Sequence, residues 1–446
     1  MNCDKKRVLL AGCDLELKEP RGIAFYAKSV IKATYQLDYQ NYLLTSAEYN
    51  QLKVFQQLNI TRKLEGAEIV SGVNRIFRNK VSKKALIAIK YILRLGHIKQ
   101  GNLIDRDSEM TLGIERLEYL ESIAGYLNKE DIYENIGIHS KLFKSPYRLT
   151  LPKGEIDTVF CVAPMNISVE RGTKLVQTLH DTIPLSTILT PPDDRPDLYY
   201  NRLKSMLINS DLVLSVSDFS RKELLTIFPD YDHKVITTHQ PVPIYQGENL
   251  VANQPEVQAS VLSKYNLIDQ QYLLFIGSIE KRKNVLKIIE AHLASYEQIN
   301  IPLVIIGSLG YGSSDISHYL TGSDYARSIK YFSYVPTIDK LVLLKKARAF
   351  IFPSFNEGFG LPPVEAMQMG CPVLTSNTSA LPEICGDAAL YVDPGSLSDI
   401  AKGIVEVATN EELRQKLIAK GFENVKRFSF EAYQNKLETV LSDLHK

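Results

Sequence analysis

The stretch AFIFPSFNEGFGLPPVEAMQMGCPVLTSNTSALPEICGDAALYVDP, from Ala349 to Pro394, constrains the fold more than any other part of the chain. It reads as strand, loop, helix, strand, loop. Ala349 to Pro353 is a short apolar run with the length and flanks of a buried strand. A turn rich in Gly, Asn and Ser follows and carries Glu357, Gly358 and Gly360. Pro362 and Pro363 suit the first turn of a helix. Val364 to Met369 continues that helix, and Gly370 ends it. Pro372 to Thr375 begins the next strand.

Glycines open this helix start. Gly358 and Gly360 let backbone approach a ligand with no Cβ in the way. The N–H groups of Phe359, Gly360 and Leu361 point out of the helix start and, with its dipole, suit phosphate or another anion. Glu357 and Glu365 bracket the site with seven residues between them. A carboxylate beside phosphate would be repelled, so each Glu is better matched to neutral hydroxyls. Phosphates in the middle and polyols at both ends describe a sugar nucleotide. The bland reading is two surface Glu flanking an ordinary strand-to-helix turn.

The glycines, prolines, both Glu and the downstream SALPEICGDAA segment form one long pattern. It resembles the retaining GT-B glycosyltransferases of family 4, with their PS-x-x-EGFGLP-x-x-EAM-x-x-G-x-PV stretch. The resemblance implies an α/β protein of GT-B architecture, with two Rossmann-like domains facing across a cleft. It is strong from Gln271 to Asp393, good from Lys174 to Lys222 and poor from about 50 to 150.

At 446 residues, two domains are expected. A hydrophobic content of 45% suffices for ordinary globular cores, and a net charge of +1 gives no drive toward nucleic acid. Five scattered Cys without a CxxC pair suggest neither a zinc site nor a disulfide framework, and a cytoplasmic compartment fits. The apolar run VLLAGC is shorter than a signal peptide needs. Nothing approaches the roughly 20 apolar residues of a membrane span. With no Trp in the chain, ring stacking on a base or sugar falls to Tyr or Phe.

Taken in order, Arg7 to Gly12 reads as a buried strand, then a loop with Gly22 and a helix from near Phe25. That is half a Rossmann-like unit without GxGxxG. Asn41 to Thr45 fits a second strand. Arg75 to Lys99 holds eight Lys or Arg, and no acid occurs between Glu68 and Asp105. Its helical pattern sets Leu86, Ile89 and Leu93 against Lys83, Lys90, Arg94 and His97. Two readings fit: a helix on an anionic membrane, or a core helix with a solvated basic face. The triplets DRD (105–107) and DYD (230–232) follow no clear strand and are read as chance, so no metal site is assigned.

Asp157 to Val162 and Lys174 to Leu179 read as buried strands, the second ending in HDTIPL. His180 falls at a strand's C-terminal edge, where open α/β sheets bind ligands. Leu212 to Val216 is another strand, and Ser217 is a plausible N-cap. Residues 240–258 lack apolar periodicity, and the interdomain linker is placed at 246–258. The first domain then spans 1–245 and the second 259–428. Tyr272 to Ile276 is a strand, followed by GSIEKRKN and a helix from about Val285. Leu303 to Ile306 and Ile329 to Phe332 are strands, Lys340 to Ala347 a helix, and Asp399 to Arg427 helical. By resemblance, a last helix within 429–446 returns across the first domain.

The resemblance also implies roles. Gly22 faces the donor phosphates, and Gly277 opens the loop whose basic pair binds the diphosphate. Lys283 matches the family's Lys. Ser278 stands where Arg is frequent, and Arg282 is the adjacent substitute. Glu365 holds the ribose hydroxyls, Glu357 holds those of the transferred sugar, and His180 positions that sugar near its anomeric carbon. Gly358, Phe359, Gly360 and Leu361 complete the donor site. The implied activity is retaining transfer of a hexose from a nucleotide-diphosphate sugar to a hydroxyl of a glycan or lipid-linked saccharide, with no cofactor and no required metal. HDTIPL and RKN look most like mannosyltransferase-type members, which points to GDP-mannose. Work at the inner face of the plasma membrane, through 75–99, is the expectation tied to the basic stretch. The competing classes are a sugar-nucleotide epimerase or phosphorylase on the same architecture, and a non-catalytic nucleotide-sugar-binding subunit. An epimerase would act without an acceptor.

Overall fold

The computed structural model describes residues 5–12, 22–46, 103–105, 120–129, 131–186, 195–243, 245–322 and 325–446. In chain order the strands are β1 (Arg7–Ala11), β2 (Gln40–Thr45), β3 (Leu103–Asp105), β4 (Gly125–Asn128), β5 (Tyr147–Arg148), β6 (Thr158–Cys161), β7 (Ile167–Ser168), β8 (Lys174–Leu179), β9 (Leu212–Ser215) and β10 (Val235–Thr237). They continue with β11 (Leu273–Ile276), β12 (Leu303–Ile306), β13 (Ile329–Phe332), β14 (Ala349–Phe352), β15 (Val373–Ser376) and β16 (Ala389–Val392). One sheet has the order β10-β9-β8-β6-β1-β2-β4-β3, the other β13-β12-β11-β14-β15-β16, and β5 pairs β7 alone. All pairings are parallel except β3 on β4. Parallel strands are covered on both faces, so they read as continuous apolar runs. The fully buried LVII of β12 and AFIF of β14 are examples.

Each sheet reverses its strand order at its first strand. In the first, β1 lies between β2 and β6; in the second, β11 lies between β12 and β14. Loops leaving the C-terminal ends of strands on either side of such a reversal enclose a crevice. In the second sheet these are the loops after β11 and β14, which carry Arg282, Lys283 and Glu357. This α/β arrangement of two parallel-sheet domains is the one expected.

The helix Phe430–Leu444 packs on the first domain. Phe430, Tyr433, Leu437 and Leu441 recur at helical spacing and join Val8, Leu10, Tyr26 and Phe160 in one buried cluster. Burying such a side chain contributes about 1.5–3 kcal/mol. Ser429 caps the helix by accepting from the Ala432 N–H.

Several boundaries differ from the expected ones. The first helix is Gly22–Gln36, so Gly22 is its first described residue and not a loop glycine. The helix after Gly360 is Leu361–Gln368, with Pro362 and Pro363 in its first turn as expected. The run 399–427 is two helices, Leu397–Thr409 and Glu411–Val425, and Asn410 caps the second. The linker expectation at 246–258 is corrected: the helices Gln246–Ala252 and Pro255–Lys264 occupy it. Pro255 is a helix first-turn residue there, not a loop breaker, and Ala252 and Val261 are buried in the core of the second domain. The chain crosses between domains earlier, between β10 and Gln246. The basic stretch 75–99 and most of DRD lie outside the described residues. In DYD, Asp232 pairs with Arg221. No helix among the described residues is long and apolar enough to cross a membrane.

Candidate functional site

Glu357 is the centre of the site. It lies in the loop after β14, and its side chain is 10% exposed. Its Oε1 accepts from Lys283 Nζ at 2.9 Å and pairs with Arg282 Nη1 at 3.0 Å. Arg282 Nε donates to Glu280 at 2.9 Å. Burial alone would raise the Glu357 pKa, but Lys283 and Arg282 together hold it below its ordinary value. Burial lowers the Lys283 ammonium, with Glu357 opposing that shift. For Arg282 burial also works against the charge, but Glu357, Glu280 and Asp181 outweigh it and raise its pKa.

Local geometry explains how these loops converge. Gly277 accommodates the Lys283 stem: a Cβ there would lie 3.3 Å from Lys283 Cδ. Asn284 takes a left-handed conformation, with φ of 61°, and donates to Pro353 O and Pro394 O at 3.0 and 2.9 Å. It thereby ties together the segments after β11, β14 and β16. Gly307 packs backbone to backbone on Gly277, where a Cβ would lie 1.9 Å from Gly277 O. Ser278 sits in this contact and contributes no cation at the position where Arg was considered.

The first domain meets this cluster through His180 and Asp181. A Cβ on Gly358 would lie 2.1 Å from His180 O and 2.7 Å from Asp181 Cβ. The His180 Nε2–H donates to Val162 O at 2.7 Å, and the ring stacks edge-on to Tyr26 with centroids 5.2 Å apart. That bond fixes which ring nitrogen carries a proton. Gly22 opposes Leu361 across the cleft, with 3.4 Å between Leu361 Cδ1 and a Cβ built on the glycine. The starts of the helices Gly22–Gln36 and Leu361–Gln368 therefore face one another. Gly360 has φ of 103°, a conformation that favours glycine. The Phe359 side chain is buried with Val216, Val242 and Phe428, so it packs the junction between the domains, and only its backbone is available to a ligand.

The structure brings His180, Arg282, Lys283 and Glu357 together with Gly22, Gly277, Ser278, Gly358, Gly360 and Leu361. Glu365 belongs to a separate polar group with Tyr245 and Lys340. The expectation that both Glu carboxylates await neutral hydroxyls is modified, because each already holds a cation.

Three features had no signal in the sequence. Ser217 is legible as an N-cap, and its side chain accepts from Ser220 N. Its hydroxyl also donates to Gly358 O in the other domain at 2.6 Å, and Ser220 Oγ donates to both Gly358 O and His180 O at 3.1 Å. Glu383 accepts from the N–H groups of Asp218 and Phe219 at 2.8 Å and from His239 at 2.7 Å, capping a first-domain helix from the second domain. The third is Asp181, half-buried beside Gly358. Burial chiefly pushes its carboxyl from 3.8 up to about 6, with Arg282 opposing and Glu357 reinforcing.

Asp181 yields a pH prediction. Its pKa is raised in the fold, so the folded state binds this proton more tightly than the unfolded chain. Stability from this group is therefore lost as pH rises from about 4 to about 6, and the cost persists above. Asp181→Asn keeps the acceptor for the Ile183 N–H and removes the charge. It should gain about 1–3 kcal/mol over the parent at pH 7.5, with the difference closing toward pH 4.5. Urea unfolding at both pH values measures this.

The profile of the family "Glycosyl transferases group 1" matches residues 262–424. The O-antigen chain mannosyltransferase B of Escherichia coli is 34% identical over 263 residues, covering 58% of this chain and 68% of that protein. The Serotype-specific mannosyltransferase WbdA of Escherichia coli is 29% identical over 266 residues, covering 58% of this chain but only 32% of its own length. In three dimensions the sucrose-phosphate synthase of Thermosynechococcus elongatus superposes with a TM-score of 0.63 at 14% identity, covering 99% of both chains, and shares the fold. Two switch-point crevices facing each other, a glycine-opened helix start and the profile match lead to one assignment: this chain has the GT-B fold and belongs to the glycosyl transferases group 1 family.

Proposed function

We propose that the chain transfers mannose from GDP-mannose, with retention of anomeric configuration, to a hydroxyl of a growing surface polysaccharide such as an O-antigen chain. The single observation that carries the reading is the pairing of Lys283 and Arg282 with Glu357 beneath the His180–Asp181 turn. Two cations at a switch point suit a diphosphate, and a carboxylate beside them suits sugar hydroxyls. The mannosyl donor and the polysaccharide acceptor are supported by the names of the relatives.

In this reading donor binding is an exchange of partners. The diphosphate draws Lys283 and Arg282 away from Glu357, and the freed carboxylate accepts from hydroxyls of the sugar. The N–H groups of Gly360 and Leu361 add dipolar stabilisation to the leaving oxygen. The side chains supply the neutralising charge, and we assign the reaction no metal or cofactor. We assign Glu357 to holding the sugar hydroxyls and not to nucleophilic attack. We therefore favour attack on the face from which the diphosphate departs, with the diphosphate oxygen taking the acceptor proton. His180 orients the sugar. We place this chemistry in the cytoplasm.

Thermal unfolding and hydrolysis with GDP-mannose, UDP-glucose and dTDP-glucose, in chelator, test the reading. At about 100 times its Kd a bound donor adds roughly 2.7 kcal/mol of stability. GDP-mannose should stabilise the protein and be slowly hydrolysed, with the first-formed mannose keeping the donor's configuration by NMR. Epimerisation of the sugar without acceptor, or binding of none of the three, overturns it.

A further inference from the structure

Glu365 is held before any ligand reaches it. The Tyr245 hydroxyl, on the segment that crosses between the domains, donates to Glu365 Oε1 at 2.7 Å. Lys340, on the helix Thr337–Lys346 after β13, donates to that hydroxyl at 2.9 Å and to both carboxylate oxygens at 3.3 Å. Its ammonium also lies over the Tyr245 ring, 4.7 Å from the centre. The Lys340 and Glu365 side chains are 19% and 15% exposed, so the group is shielded yet not sealed from solvent. Burial, with the nearby Glu365 charge, pushes the Tyr245 pKa up and keeps this hydroxyl a donor.

A carboxylate offers about four acceptor sites. Tyr245 fills one on Oε1, and Lys340 makes two longer contacts. About one site remains, so a vicinal diol, which makes two hydrogen bonds, takes it and displaces one of the two long Lys340 contacts. A free Glu side chain would have to give up rotamer freedom to make them, and the Tyr245–Lys340 frame removes that freedom beforehand.

We propose that Tyr245 and Lys340 are positioning residues that orient the Glu365 carboxylate toward the ribose diol of the donor. They set the grip on its nucleoside half, and not on its diphosphate, from the segment that joins the two domains. This rests on the reading in which Glu365 holds the ribose. It adds that a residue outside both Rossmann-like units contributes to nucleoside recognition. A merely structural role for the ion pair would weaken all ligands alike, or none.

Calorimetric titration of the full chain with GDP, 2′,3′-dideoxy-GDP and inorganic pyrophosphate separates these cases, with UDP and its dideoxy form run in parallel. Tyr245→Phe should weaken binding of the preferred nucleoside diphosphate about tenfold, and leave pyrophosphate and the dideoxy nucleotide within about twofold. Lys340→Gln should show the same pattern, and melting curves establish that both variants are folded. Equal losses on all three ligands overturn the proposal. So does unchanged nucleotide affinity in both variants when Glu365→Gln loses it, and the ribose role then survives. If Glu365→Gln leaves nucleotide affinity intact, or neither nucleotide binds the parent, the reading beneath fails and the proposal with it.

Discussion

Lys283→Ala should lower kcat for sugar transfer by about 10²–10³-fold, the usual cost of removing one preorganised charge from a developing oxyanion. Lys283 is the most enclosed cation of the site, with a side chain 7% exposed. Its ammonium is fixed by Glu357 and by the Phe352 ring 4.7 Å away. Little water can take its place, so the lost charge is not replaced by solvent. Stability should change far less. Breaking a buried pair typically costs about 3–5 kcal/mol when the partner is left uncompensated. Here Arg282 remains on the same Glu357 oxygen, so about 1–2 kcal/mol is expected. Steady-state kinetics beside urea unfolding checks both parts. A variant that kept more than about a tenth of parental kcat would remove Lys283 from transition-state stabilisation.

Gly358→Ala should be nearly as damaging by a different route. The added methyl would sit 2.1 Å from His180 O, so backbone must move. The displacement falls on the contact that Ser217 and Ser220 make with Gly358 O, and on the spacing between His180 and Glu357. A shift of about 1 Å in a catalytic constellation costs on the order of 10²-fold in rate. Because the clash lies between domains, each sheet can stay intact while the cleft opens. Activity should fall about 100-fold with circular dichroism unchanged, and small-angle scattering should show a larger radius of gyration. Parental activity in Gly358→Ala would mean that the close approach of the two loops is not needed for turnover.

The buried strands were legible because parallel sheets demand uninterrupted apolar runs. Lys174–Leu179, Leu303–Ile306 and Ile329–Phe332 have the bounds their sequence suggests. Helices were harder where apolar content was low. Leu250 is 72% exposed on the helix Gln246–Ala252, so no buried stripe announced that element. Its Gly, Asn and Pro neighbours were instead read as breakers.

The loop from Phe355 to Gly360 and the basic turn Lys281–Lys283 could be read from the chain itself. Glycine spacing, proline placement and charge type are local properties, and each follows directly from a strand that ends at a switch point. The partners could not be read that way. Glu357 with Lys283, Glu365 with Tyr245 and Lys340, and Glu383 with His239 and the Asp218 N–H join residues far apart in sequence. No periodicity records which carboxylate meets which cation when two sheets dock. The sequence determined the two parallel-sheet domains, the glycines, prolines and charges of the two loops, and the family. Only the tertiary structure decided that both carboxylates are already paired, that Asp181 lies where burial raises its pKa, and that the crossing segment reaches Glu365. Those outcomes depend on burial and on distances between domains, which are created when the chain closes on itself.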